Sequence, residues 1–337
     1  MNKSNQIFIV GSSRSGTTMM GRILNNHKEI FTLRELHFFD RIWTKYDNKK
    51  IDYNELVYIL SLLLCVQREG IFKINNFKNY KKKAINILDR YNDANSCLDI
   101  YKIFINYISQ KKDSQIICNQ TPNNIYYIKD ILSKFSDAKI LVMIRDPRDV
   151  LLSQKNKWKR KFLGASAIPL IEAIRSYINY HPIIIGKLWS SSFSKTLDFL
   201  NDDRVKFVKF EDLVINHNIV MKEICHFLNI DFTQEMLRVP VIGSSQEEDS
   251  GKFYIDSSKA YRFRNGGVSS SEIYLSQLFS SKMMKTFSYQ EDQFLFPPLG
   301  VLFHLIKFPV SVFLIFVFNF RRMGNVYRNL KVRINRS

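Results

Sequence analysis

The apolar positions of this chain change period several times, and the changes mark its elements. Residues 6–10 (QIFIV) form a short apolar run, the pattern of a buried strand. From Thr17 onward Met19, Met20, Ile23 and Leu24 recur at helical intervals. Residues 52–69 (DYNELVYILSLLLCVQRE) predict a largely buried helix, and two further helical stretches fall between residues 77 and 110. Residues 115–119 predict a second strand, after which Pro122 is placed to open a helix. Residues 138–144 (AKILVMI) are apolar apart from Lys139, as in a central parallel strand covered on both faces. A helix follows with Asp146 as N-cap and Pro147 in its first turn. Residues 166–200 predict one long helical region kinked near Pro182, residues 204–210 a strand, and residues 211–229 a helix ending near Asn229. Strands alternating with helices predict an α/β class with a parallel sheet.

Two stretches break this rhythm. Residues 242–270 are rich in Gly, Ser and charge and read as a long functional loop or lid. From about Phe294 the run FPPLGVLFHLIKFPVSVFLIFVFNF is strongly apolar, interrupted by His304, Lys307 and Pro309. The tail after it, residues 321–337, carries six basic residues and no acidic one. An apolar anchor followed by a basic tail fits docking on an anionic cytoplasmic leaflet. A pair of C-terminal helices packed on the core or on a second subunit fits the same pattern. The expected division is therefore 1–290 for the main domain and 291–337 for an apolar and basic helical appendage.

Composition narrows the partner. The 337 residues carry 50 Lys+Arg against 31 Asp+Glu, a net charge of +19, which points to an anionic partner such as a nucleotide, a membrane surface, nucleic acid or an acidic polymer. The four cysteines are scattered and no His/Cys cluster suggests a metal, so buried thiols in a reducing compartment are expected, with no metal. No secretory apolar segment opens the chain, which places the expected site of action in the cytoplasm, attached to the inner face of a membrane.

The candidate chemistry begins at residues 11–18, GSSRSGTT. Gly11 and Gly16 have the spacing of a phosphate-binding loop, but Thr17 stands where that loop carries its lysine. Converging backbone N–H groups and the dipole of the following helix still favour an anion, and Arg14 can supply the missing charge. Such a loop suits a group smaller and less charged than a triphosphate.

The stretch FIVGSSRSGTT resembles the 5′-phosphosulfate loop of the sulfotransferases that use PAPS (3′-phosphoadenosine 5′-phosphosulfate). AKILVMIRDPRDVLLSQ resembles the 3′-phosphate motif of the same family, with Arg145 at a strand end and Ser153 eight positions on. The resemblance implies a P-loop NTPase-like fold, a parallel sheet flanked by helices. It implies PAPS as sulfuryl donor, held by Ser13, Arg14, Ser15, Gly16, Thr17 and Thr18 at one end and by Arg145 and Ser153 at the other. Arg148 either adds to this phosphate grip or, on the plainer reading, is a surface residue. VKFEDLV is similar to the family segment whose aromatic lies near adenine, which marks Phe210, or else Phe210 is a core residue. GSSQEE resembles a lid stretch containing Ser244. KAYRFRNGG resembles the basic loop that closes on the 3′-phosphate, which marks Arg262 and Arg264, although the family's tryptophan after the glycines is absent.

For catalysis the resemblance to the tyrosylprotein and glycan branches marks Glu35, 21 residues after Arg14, as general base, with Arg14 on the transferred group and His37 orienting the acceptor or sharing the base role. A surface ion pair of Glu35 with Arg34 or Arg41 is the plainer alternative. Many relatives carry a lysine where this chain has Gln120, which can donate a hydrogen bond but brings no charge. Losing one aimed donor typically costs about 2.7–4 kcal/mol of transition-state stabilisation. The expected acceptor is a glycan or glycolipid, and no nucleic acid is expected. A phosphate-transferring kinase and a PAPS-binding protein without catalysis are the rival readings.

Overall fold

The structure, a computed structural model, describes residues 5–91, 93–163, 165, 167–240 and 253–320. Five strands form one sheet: β1 (Asn5–Gly11), β2 (Ile30–Leu33), β3 (Ile116–Gln120), β4 (Lys139–Ile144) and β5 (Val205–Lys209). Their order is β2-β3-β1-β4-β5, and every pairing is parallel. The helices are α1 (Thr17–Asn25), α2 (Thr44–Tyr46), α3 (Tyr53–Glu69), α4 (Lys81–Leu88), α5 (Cys97–Lys112), α6 (Ile128–Lys134) and α7 (Pro147–Lys155). They continue with α8 (Leu170–Ile178), α9 (Pro182–Ser194), α10 (Phe210–Ile215), α11 (His217–Leu228), α12 (Ser270–Thr286) and α13 (Gly300–Asn319). The α/β class expected from the apolar pattern is what forms.

Alternation along the central strands divides the core in two. Phe8 and Val10 of β1, with Ile140 and Val142 of β4, enter the larger core shared with α3, α5 and α9. Ile7 and Ile9, with Leu141 and Met143, enter the smaller core shared with α1 and α11. Both faces of β1 and β4 are covered, which explains their unbroken apolar runs. All four cysteines are buried and free.

Three expectations change. The region 166–200 is two helices, not one kinked helix: α8 ends at Ile178, and Pro182 opens α9 at its first turn, where its missing N–H costs nothing. The helix predicted over 211–229 divides at Asn216, whose φ of −117° and ψ of 41° lie outside the helical range. Asn229 ends the second half in the left-handed conformation that a helix C-terminus favours. The edge strand β2 and the π-helical turn Phe38–Trp43 were not predicted. Of the expected lid, residues 253–270 contain two short 3₁₀ turns. Its Ser244 lies outside the described residues, as does the basic tail.

Candidate active site

The C-terminal ends of β1 and β4 lie side by side, with Gly11 opposite Met143. The loop 11–16 and Arg145 therefore converge. They do so beside β1, from which the chain passes to β2 and β3 on one side and to β4 and β5 on the other. Such a switch point is where open parallel sheets bind ligands.

Arg14 has a φ of 75°. A residue bearing a Cβ adopts this left-handed conformation at a cost of order 1–3 kcal/mol. It is held from two sides: its Nε donates to Ser153 Oγ at 2.8 Å, and Arg145 Nη1 donates to its carbonyl at 3.4 Å. Gly16, with φ 93°, is the N-cap of α1 and offers no side-chain cap to the first-turn amides. A Cβ on Gly16 would collide with the Phe210 ring. Ser15 is fully buried, and its Oγ has no hydrogen-bond partner among the described residues.

Positive charge crowds this loop. Lys157 and Arg160 enter from the 3₁₀ segment Lys157–Phe162 after α7. Burial, then Arg160 and Arg145, push the Arg14 guanidinium down to about 10. Burial, then Arg14 and Arg160, push the Lys157 ammonium down to about 8. Burial also lowers Arg160. In all three cases Glu35 pulls the other way, joined at Lys157 by Glu172. A second cationic group surrounds Arg145. Burial lowers Lys259, and Arg262, Arg145 and Arg22 lower it further against the pull of Asp256. Arg145 Nη2 donates to the Lys259 carbonyl at 2.9 Å and to Asp149 Oδ2 at 3.4 Å. Its Nε is buried with no hydrogen-bond partner among the described residues.

Glu35 follows β2 and reaches over the end of β3. Gln120 Nε2 donates to Glu35 Oε1 at 3.2 Å and to Thr18 Oγ1 at 3.3 Å. The glutamine thus ties the base candidate to the loop, a neutral link where a lysine would make an ion pair. His37 Nε2 lies 3.7 Å from Glu35 Oε2, and His37 Nδ1 lies 3.0 Å from Asp40 Oδ2. Burial acts to raise the Asp40 carboxyl, but the bonds from His37 and from Asn123 Nδ2 (2.9 Å) outweigh it and hold the carboxyl below its ordinary value. Asp40 therefore fixes the imidazole, and the imidazole flanks Glu35. The surface pairing of Glu35 with Arg34 or Arg41 is not what forms.

The structure thus brings together Arg14, Ser15, Gly16, Thr18, Glu35, His37, Arg145 and Ser153, while Thr17 is buried in the first turn of α1 and Ser13 is exposed at the loop crest. Phe210 is 4% exposed, with the Arg145 guanidinium 4.3 Å above its ring. The ring supports that arginine instead of standing open for an adenine. Arg262 and Arg264 are both exposed, and Arg264 Nη2 lies 3.6 Å from Asp292 Oδ1. Arg148 needs correction. It is 2% exposed, not a surface residue, and it meets Asp146 Oδ2 at 2.7 Å, Asp292 Oδ1 at 3.0 Å and Gln277 Oε1 at 3.0 Å. Lys157, Arg160, Lys259, Arg22 and Asp40 were missed as site residues. The first two lie in KNKWKRK (155–161), whose basic residues read from sequence as a stretch that tracks nucleic-acid phosphates or, more commonly, as a basic helix face beside an anion site.

The sulfotransferase family profile matches residues 6–234. Mouse sulfotransferase 6B1 is 30% identical over 120 residues, which are 34% of this chain and 37% of that protein, so the chain aligns with little more than a third of this curated relative. The sulfotransferase domain from the curacin biosynthetic pathway superposes with a TM-score of 0.55 at 17% identity, covering 87% of this chain and 100% of that one. The sulfotransferase domain of the Synechococcus PCC 7002 olefin synthase gives 0.53 at 19% identity, covering 87% and 98%. These two likenesses are of fold. The profile match over most of the chain makes it a member of the sulfotransferase family.

Proposed function

We propose that the chain moves a sulfuryl group from PAPS to a hydroxyl of a glycan or glycolipid acceptor, with Glu35 as general base. The observation that carries this reading is the crowd of half-buried cations around the loop 11–16. Beyond burial, Arg160 and Arg145 lower the Arg14 guanidinium, and Arg14 and Arg160 lower the Lys157 ammonium, against the pull of Glu35 and, at Lys157, of Glu172. A polyanion would relieve that repulsion. The unpartnered Ser15 Oγ and Arg145 Nε supply donors for its oxygens.

PAPS supplies an activated sulfuryl group on a phosphate leaving group. The residues of this chain do the rest. Arg14, Lys157, Arg160, Ser15 and the first-turn amides of α1 hold the phosphosulfate end. Arg145, Ser153, Lys259 and Arg262 hold the 3′-phosphate end. Glu35 Oε2 takes the proton of the acceptor hydroxyl as that oxygen attacks in line. Gln120 and His37 fix the carboxylate, and Asp40 fixes His37. Glu35 retains 41% side-chain exposure, which leaves room for an acceptor. In this reading residues 1–290 carry the chemistry, and 291–337 attach the protein to the inner face of a membrane.

The test is incubation of the full chain with labelled PAPS and extracts of lipid and polysaccharide, followed by identification of the sulfated product. Glu35→Gln should cut transfer by about 10²-fold or more, as loss of a general base does, with 3′,5′-ADP affinity nearly unchanged. Undiminished transfer by Glu35→Gln would move the base elsewhere, with His37 next.

A further inference from the structure

We infer that α13, α8 and the Phe162–Leu163 corner form a single face that lies in the surface of a bilayer, and that the site draws its acceptor from that bilayer as a lipid-borne hydroxyl. This deepens the proposed function and rests on it.

The inference starts from α13, which is built inside out. Two of its polar side chains turn toward the body, while Lys307 stays exposed: Ser311 is buried, and Asn319 Nδ2 donates to Asn179 Oδ1 at 2.9 Å. Its backbone is pinned there too. His181 Nε2 lies 3.1 Å from the His304 carbonyl, and Arg175 Nε donates to the Phe318 carbonyl at 3.0 Å. The opposite face exposes Leu302, Phe303, Ile306, Val310, Phe313 and Phe320, each more than half accessible. A surface helix in water has the reverse pattern. The helix has 20 residues and a mean hydropathy of 2.3, and only 6% of that stretch is buried. Being tied to the body near both ends, it lies along the protein, so its apolar face meets lipid sideways, in the interface plane.

The neighbouring α8 repeats the inversion. Of its nine residues only Ala173 is buried, while Leu170, Ile171, Ile174 and Tyr177 are exposed. Phe162 and Leu163 extend the face, at 63% and 56% exposure. Trp158 joins the two parts, with its ring 5.8 Å from Tyr177 and 6.1 Å from Phe162. Trp and Tyr are the residues that favour the rim between lipid and water.

Charge selects the occupant. A second copy would bring another +19 against this one, whereas an anionic leaflet complements it. The six basic residues of 321–337 follow the apolar helix directly, and each Lys or Arg held near such a surface contributes about 1 kcal/mol.

The segment Lys157–Phe162 then connects face to site. Lys157 and Arg160 belong to the cationic cluster around Arg14 and Glu35, and Phe162 belongs to the apolar face. At about 2 Å rise per residue the two ends are on the order of 10 Å apart. Interfacial helices seat about 5–10 Å deep. An acceptor whose tail stays in the bilayer can therefore present a headgroup hydroxyl to Glu35.

The experiment uses the full chain and vesicles of phosphatidylcholine with phosphatidylglycerol. Sedimentation should carry the protein down with the vesicles. The double substitution Leu170→Glu/Ile174→Glu should weaken that partition at least about tenfold, since each side chain buries an apolar surface, with 3′,5′-ADP affinity unchanged. Brominated lipid should quench Trp158 in the unaltered chain, a readout that stands even if the double variant misfolds. With labelled PAPS and vesicles of total cellular lipid, label should enter the organic phase, and the double variant should lose it. Unchanged partition of a folded double variant, or no quenching, overturns the shared face. Label confined to water-soluble product, or absent from both phases, overturns the lipid acceptor. Failure of the unaltered chain to bind 3′,5′-ADP would instead remove the sulfotransferase reading while leaving the membrane result intact.

Discussion

The loop region and the C-terminal helix each break the ordinary partition of a globular protein, in opposite directions. Around Arg14 the protein half-buries three cations, with only Glu35 and, at Lys157, Glu172 pulling the other way. Along α13 it exposes hydrocarbon and turns serine and asparagine inward. Crowding like charges in a half-buried site and exposing large apolar patches are both unfavourable in isolation. Each violation therefore describes what completes it: a small polyanion in the first case, a lipid surface in the second. The contrast also separates two kinds of arginine. Arg145 and Arg148 stand three residues apart in one motif. Arg145 keeps a buried Nε with no hydrogen-bond partner among the described residues, whereas Arg148 is satisfied by Asp146, Asp292 and Gln277.

That difference gives the largest expected effect. Arg148→Ala strands the buried Asp146 carboxylate, and breaking such a pair costs about 3–5 kcal/mol. Urea unfolding should show a loss of that size, and a loss near zero would return Arg148 to the surface role that its sequence context suggests. Arg145→Ala should instead act on the ligand. Removing charged hydrogen bonds worth about 1.5–3 kcal/mol should erase most of the preference for 3′,5′-ADP over 5′-AMP, as read by calorimetry.

A pH series sharpens the cationic side. Lys157 stands at about 8 in the free protein. Binding an anion favours its charged form, so the bound value is higher and protons are taken up on binding. Affinity for 3′,5′-ADP should then hold steady below pH 8 and fall as pH rises above it, by at most about tenfold per unit. Lys157→Gln should flatten the curve. A smaller effect is expected from Asp40→Asn, which weakens one bond to His37. At about 0.5–1.5 kcal/mol, transfer should fall only several-fold, with nucleotide affinity unchanged.

Much of this was legible in the chain, for identifiable reasons. The runs at 6–10 and 138–144 are buried on both faces, so composition alone marks them. The loop 11–16 is legible because the tight turn demands glycine at fixed spacing, and Gly16 does sit at φ 93°. The strand β2 was hidden because four residues with a mixed burial pattern show no period. Pro182 was read as a kink because proline is equally at home inside a bent helix and at the first turn of a new one. The inward turn of Lys157 and Arg160 depends on how the segment after α7 packs on α8, and KNKWKRK carries no sign of that. Arg148 looked like a surface residue because its partners Gln277 and Asp292 lie far along the chain.

The central claim is that the cationic loop reads a nucleotide bearing both a 5′- and a 3′-phosphate. The most direct measurement is calorimetric titration of the full chain with 3′,5′-ADP, 5′-AMP and ATP at one pH and salt concentration. 3′,5′-ADP should bind at least about tenfold more tightly than 5′-AMP, as loss of charged hydrogen bonds to one phosphate implies, and ATP should not displace it. Equal affinity for 3′,5′-ADP and 5′-AMP, or displacement by ATP, would contradict the claim.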